Sequence, residues 1–180
     1  MIWRLSNRSD PRARAVADRH YNRQNPGATG FVPPGKCLVL YAEVEGREAL
    51  WISSAPDPRF VHHRWPGAWV CTAFRNEGVG RSSDLIREAL AATIEAWGPP
   101  PLAGMLTFID PAKTEPKELP GWCFRRAGFK DAGFSKGGLL ALVKPAEGKW
   151  PEPCPPIWDG VDARWDTRQR RLFDGRWGKL

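Results

Sequence analysis

Hydrophobic and polar positions follow different rhythms along this chain, and each rhythm predicts an element. IWRLS (2–6) reads as a first strand. KCLVLYAEVEGREALWISSA (36–55) reads as two strands turning at Glu45-Gly46. AWVCTAF (68–74) and LAGMLTFID (102–110) are nearly unbroken apolar runs, expected of strands covered on both faces. FKDAGFSKGGLLALVK (129–144) has the form of a final hairpin. Helical spacing appears in three other places. Residues 9–27 carry a start signal in Ser9 or Asp10 followed by Pro11, and a stop in Asn25-Pro26-Gly27. Ala13, Val16, Ala17 and His20 would share one face of that helix, and Arg12, Arg19 and Arg23 another. Residues 82–97 place Leu85, Ala89, Ala92 and Ala96 on one stripe with Ile86, Leu90 and Ile94 beside it, before three prolines stop the helix. ELPGWCFRRAGF (118–129) suggests a short third helix.

The predicted order is β-α-β-β-β-α-β-α-β-β: a mixed central sheet flanked by helices, α/β or α+β according to strand direction. From Pro145 the pattern changes. Residues 145–180 form a basic extension rich in proline and tryptophan, expected to run extended over a domain spanning 1–144, with one further basic helix over 162–173.

The 180 residues suffice for one domain with a real core. A net charge of +7 changes the picture more, because it favours an acidic partner: nucleic acid, a polyphosphate cofactor or an anionic surface. The four cysteines stand singly with no C-x-x-C spacing, as expected of reduced thiols in a cytoplasmic protein. MIWRLSNRSD lacks the apolar stretch of a signal peptide, and no run approaches a membrane span.

FRNEGVGRSS (74–83) joins a predicted strand to a predicted helix. Such a turn offers free backbone N–H groups and the positive end of a helix dipole, which suits phosphate. Gly78 and Gly80 would let an anion approach the backbone, Arg81 adds charge, and Ser82 adds a hydroxyl. Neither the Walker pattern nor the dinucleotide fingerprint is present. An ordinary glycine turn capped by Ser82 or Ser83 is the alternative.

R-N-E-G-V-G resembles Arg/Gln-x-x-Gly-x-Gly/Ala, the pyrophosphate loop of the GNAT acyltransferases, and the predicted elements over 1–144 follow in that superfamily's order. The resemblance implies acetyl-CoA or another acyl-CoA as cofactor. Its pantetheine arm would lie along Val70, Cys71 and Thr72, and its pyrophosphate on Gly78, Val79, Gly80, Arg81 and Ser82. RHYNRQNPGATGFVPPGK (19–36) resembles the His-Tyr-Ser-Arg…Pro…Gly-Lys segment of Mom-type phage DNA modification proteins, a divergent GNAT branch that attaches a carbamoylmethyl group to adenine N6. Arg75, Ser82 or Ser83, TFIDP with Asp110, and PGWCFRRAGFKDAG fall where that branch carries similar residues. This resemblance implies a phage or prophage protein acting on DNA in a bacterial cytoplasm. Tyr21, Arg75, Ser82 and Asp110 would be its catalytic residues, with Arg12, Arg19, His20, Arg23 and Lys113 toward the DNA. Phe124 stands where the branch has tyrosine, so a phenol acting there would be lost or its role moved; Cys123 next to it is a candidate substitute or a core residue.

The chemistry of such a reaction is demanding. An adenine amino group is a weak nucleophile and is unreachable inside a duplex, so its base must be flipped into a pocket. That pocket wants aromatic and hydroxyl groups, a proton acceptor, and basic residues for phosphates. Plainer roles stand beside each candidate: His20 and Tyr21 as packing residues, Asp110 before Pro111 as a turn residue, Arg75 as the partner of Glu77. His62-His63 is a weak metal pattern without nearby Cys or carboxylate ligands. Two other functions remain open, a GNAT enzyme acylating a small amine or a protein, and a non-catalytic nucleic-acid-binding or phage protein of the same fold. Sequence is silent on oligomeric state.

Overall fold

The protein is described from a computed structural model covering residues 1–57, 59, 64–114 and 119–158. The helix expected over 162–173 and the pair His62-His63 lie outside these residues.

Among the described residues, seven strands form one mixed sheet in the order β1-β2-β3-β4-β5-β7-β6. They are β1 (Arg4–Ser6), β2 (Lys36–Val44), β3 (Arg47–Ala55), β4 (Trp69–Asn76), β5 (Met105–Ile109), β6 (Lys130–Phe134) and β7 (Leu140–Lys144). All pairs are antiparallel except β4 with β5. The β2–β3 hairpin turns at Glu45 and Gly46, both with positive φ, as a tight two-residue turn requires. The fold is therefore α+β, with helices on both faces of the sheet.

Helix α1 (Pro11–Asp18) packs Ala13, Val16 and Ala17 against Val39, Tyr41, Leu50 and Ile52 on one face. Helices α2 (Ser82–Trp97) and α3 (Trp122–Arg126) cover the other. There Trp51, Phe74, Phe124 and Phe129 form an aromatic cluster with ring centroids 5.2 to 6.3 Å apart. Phe124 is buried in it, so its ring acts in packing, which needs no hydroxyl. One buried polar chain crosses this face. The Trp51 indole N–H donates to Ser53 Oγ at 2.7 Å, Ser53 meets Thr93 Oγ1 at 2.8 Å, and Thr93 donates to the Ala89 carbonyl at 2.7 Å.

The first helix is shorter than its sequence suggests. It starts as expected, with Asp10 accepting from Arg12 N–H and Pro11 in the first position, but it ends at Asp18. Beyond it the Asp18 carboxylate accepts from Gly27 N–H (2.9 Å) and the Arg23 guanidinium (2.7 Å), folding the chain back on itself. Arg19, His20, Tyr21 and Arg23 thus lie in a turn, not on a helix face. These tertiary bonds outweigh the modest helix propensity of His, Tyr and Asn.

Residues 145–157 pack as a strap across the domain. Trp150 meets Trp69 edge-on (6.4 Å), Cys154 N–H donates to Ala91 O on α2, and Ile157 bridges β1 through bonds with Trp3 and Leu5. The buried ammonium of Lys144 ties this strap down, donating to the carbonyls of Ala127 (3.1 Å) and Lys149 (2.9 Å) and lying over the Trp150 ring. Burial holds its pKa below the ordinary lysine range. All four cysteines are free thiols. No helix among the described residues is long and apolar enough to cross a membrane.

Candidate functional site

The parallel pair β4–β5 is joined only at Trp69–Met105, Val70–Leu106 and Cys71–Thr107. β4 then continues to Asn76 and β5 to Ile109 without pairing to each other, β4 staying on β3 and β5 on β7, so the two strands diverge at their C-terminal ends. Thr72 sits at a bulge on the β3 side, between the pairs Ile52–Ala73 and Ser53–Cys71, which bends β4 at the point of divergence. The opening is a cavity of about 790 Å³. Its walls come from Cys71 to Phe74 on β4, Thr107 to Ile109 on β5, Arg81 to Ser83 at the start of α2, Gly121 to Phe124 on α3, and the turn His20 to Asn22. A second cavity of about 360 Å³, lined by Ala17, the turn from Asn22 to Asn25, and Phe31 to Pro33, shares His20, Asn22, Thr72 and Ala73 with the first. His20 and the open edge of β4 therefore divide two spaces.

His20 is held on both sides. Its Nδ1 accepts from Asn22 N–H at 3.2 Å, its ring bonds the backbone of Phe74, and it stacks on Tyr21 with centroids 4.5 Å apart. Burial, with the Arg75 charge nearby, pushes its pKa below the ordinary histidine value. The imidazole is thus neutral and both nitrogens are engaged, which makes it a fixed partition and a poor base. The Tyr21 hydroxyl meets the backbone of Asp110; burial pushes its pKa up, so it remains a phenol facing the first cavity. Cys71 is buried in the floor, and burial keeps its thiol protonated.

The glycine loop answers its own question in two halves. Asn76 Oδ1 accepts from Gly78 N–H (3.1 Å) and Val79 N–H (3.0 Å), while its amide donates to Gly80 O (2.8 Å) and Ser82 Oγ (2.9 Å). The first two loop amides are therefore satisfied by the chain itself, and Val79 packs on the core. The start of α2 differs: no side chain caps it, and Arg81, Ser82 and Ser83 face the cavity. Gly78 needs its lack of side chain, since φ is +97° and a Cβ would press on Arg47 Cδ at 3.2 Å. Gly80 has no such need: a Cβ there would enter open space.

Several expected site residues have other employment. Val70, expected to offer its backbone to pantetheine, lies opposite Leu106 in the paired part of β4 and β5, and its side chain packs with Ala68 and Leu106 on the opposite face of the sheet. Gly78, Val79 and Gly80 do not line the cavity. Arg75 donates to Glu77 (2.6 Å) and to the Arg19 carbonyl (2.6 Å), outside the cavity wall. The Asp110 carboxylate accepts from Ala112 N–H (3.0 Å) and stands 3.9 Å from Lys113, closing a turn before Pro111. The arginines expected to form one exposed stripe are each tied down. Arg12 bonds Asp10 and lies over Tyr41, Arg19 bridges Glu48 (2.6 Å) and Glu77 (2.7 Å), and Arg23 bonds Asp18 and the carbonyls of Ala28 and Gly30. With Arg19 and Arg75 both donating, Glu77 is held down at about pKa 2.

The structure brings together Tyr21, His20, Cys71, Thr72, Arg81, Ser82 and Lys113 around the first cavity. Sequence reasoning missed Asn76, whose place before Gly-x-Gly is the signal of an Asx cap, and Trp122, an indole 54% exposed at the rim. No group of three or more potential metal ligands is found among the described residues. No protein-family model, no curated protein and no solved structure matches the chain.

Proposed function

We propose that this chain is a GNAT-like N-acyltransferase that takes an acyl-coenzyme A thioester in the larger cavity and an amine in the smaller one. The observation that carries the reading is the coincidence of two features at one opening. A parallel strand pair diverges to expose the β4 edge, and the uncapped start of a 16-residue helix faces the same space. A pantetheine arm can bond to an unpaired strand edge, and a pyrophosphate suits free N–H groups at a helix start. The strand order, with its single parallel pair, adds support.

In the reaction the amine nitrogen attacks the thioester carbonyl carbon. A C–N bond forms, the C–S bond breaks, and the departing thiolate takes up a proton. With Phe124 unable to donate one, the Tyr21 phenol is the donor facing the cavity. The amine's own proton passes to solvent, since the nitrogens of His20 and the carboxylate of Asp110 are engaged elsewhere. For the amine we favour the exocyclic amino group of a flipped DNA base, adenine first. The smaller cavity is lined by the carboxamides of Asn22, Gln24 and Asn25, groups of the kind that pair with a base edge, and the net charge of +7 suits a polyanion.

Two measurements test this. Calorimetric titration with coenzyme A should show saturable binding that competes with acetyl-CoA; no binding would end the proposal. Nucleosides digested from DNA of expressing cells should include a modified adenosine by mass spectrometry. An unmodified pool together with intact coenzyme A binding would move the acceptor to a small amine or a protein.

A further inference from the structure

The larger cavity has a rim whose residues play no part in the reaction above. Trp122 exposes 54% of its surface there, whereas Trp3 and Trp51 are completely buried and Trp69 and Trp97 nearly so. An indole left half in water forgoes the stabilisation its burial would bring, which makes this one worth explaining. Four residues on, Arg126 lies on the same side of α3, with its guanidinium carbon 5.8 Å from the Trp122 ring centroid. Both residues line the cavity that Arg81 and Ser82 enter from α2. The two helices are locked together: Arg87 of α2 donates to the Arg126 carbonyl and pairs with Asp84 in the first turn of α2. The backbone of α3 that carries the indole and guanidinium is thus anchored to the helix whose start is uncapped.

We propose that Trp122 and Arg126 seat the 3′-phosphoadenosine end of coenzyme A, the indole stacking on adenine and the guanidinium binding the 3′-phosphate. This rests on the cofactor reading above and deepens it. In coenzyme A the adenosine follows the pyrophosphate directly, so its seat must adjoin the phosphate site, as this rim adjoins the start of α2. A flat aromatic surface recognises a purine face, and a guanidinium offers paired donors to a phosphate dianion. Trp122 and Arg126 would then set the choice of coenzyme A over a shorter pantetheine thioester, without touching the reacting atoms.

Calorimetric titration of the full chain with coenzyme A, dephospho-coenzyme A and pantetheine tests this. The wild type should bind them in that order of falling affinity. Trp122→Ala should weaken coenzyme A and dephospho-coenzyme A by about tenfold, leave pantetheine unchanged, and be largely rescued in Trp122→Phe. Arg126→Gln, which keeps the carbonyl that Arg87 holds, should weaken coenzyme A alone by about fivefold, to the level of dephospho-coenzyme A. Wild-type binding that neither substitution alters would overturn the seat and leave the cofactor reading standing. A wild type that binds none of the three would overturn both. Circular dichroism melts matching the wild type exclude unfolding as the cause, as expected for exposed side chains.

Discussion

The two walls of the larger cavity are built in opposite ways. The segment 76–83, which brings Arg81 to Ser83 to one wall, is held mainly by a neutral side chain: Asn76 makes four hydrogen bonds to it and leaves the helix start without a side-chain cap. Arg47 adds one bond to the Gly78 carbonyl. The wall at residues 18–31 is held by charge, with Asp18, Glu48 and Glu77 engaging Arg19, Arg23 and Arg75. An amide oxygen, not a carboxylate, satisfies the loop amides of the first wall, and Asp84 in the first turn of α2 pairs with Arg87 while standing 3.9 Å from Arg81. Charge on the second wall is consumed internally, and so contributes little to binding a polyanion. A count of arginines therefore misjudges which wall meets a phosphate.

The largest effect should come from breaking the neutral wall. Asn76→Ala removes bonds worth about 1 kcal/mol each, and with some replaced by water we expect a loss of about 2 kcal/mol in urea denaturation. Coenzyme A binding should weaken as the loop loses its shape.

Breaking the charged wall should cost less, because Arg19 is well exposed and its pairs are screened. Glu77→Gln should destabilise by about 1 kcal/mol at pH 7. The sign of its pH dependence is set by a carboxyl whose folded pKa, about 2, lies below the 4.5 of a free one. Its contribution is fully present above about 4.5 and is lost as pH falls toward 2. The stability gap between wild type and Glu77→Gln should therefore narrow steadily from about pH 4.5 toward pH 2; a gap constant over that range would refute the network.

The two glycines of one loop should respond differently to the same substitution. Gly78→Ala should cost about 1 kcal/mol, because L side chains avoid its positive φ. Gly80→Ala should leave the melting temperature unchanged, since its methyl would meet nothing within 4 Å. Equal effects of both on stability would show that the loop serves only as a turn.

The smallest effect is spectroscopic. In NMR titration His20 should titrate below the 6.5 of a free imidazole. Folding then favours its neutral form, so its contribution is present above pH 6.5 and falls away at lower pH. Arg75→Gln should bring the His20 pKa part of the way back up, because one of its two depressing causes is removed.

Much of the architecture was legible in the pattern of residues. Strands β2 to β5, helix α2 and the final hairpin match their predicted positions within a few residues, because strong apolar periodicity fixes element type wherever a core must be covered. The loop at 74–83 was also recognisable as a turn opening a helix. Its division of labour was not: that Asn76 fills the first amides while the helix start stays open depends on side-chain geometry that no spacing reveals. The same holds for Asp110 and Arg75, whose residue types suit catalysis but whose partners are a turn amide and Glu77.

The order of elements, the apolar faces that pack them and the net positive charge are all readable from the residues, since each follows from local composition and periodicity. That β4 and β5 run parallel and part, that α1 stops at Asp18, and which cations are spent on internal carboxylates emerge only in the folded chain. Those outcomes depend on pairings between residues tens of positions apart, such as Arg19 with Glu77 and Cys71 with Thr107. Local propensity carries no record of such pairings, and the free energy of the assembled chain selects among them.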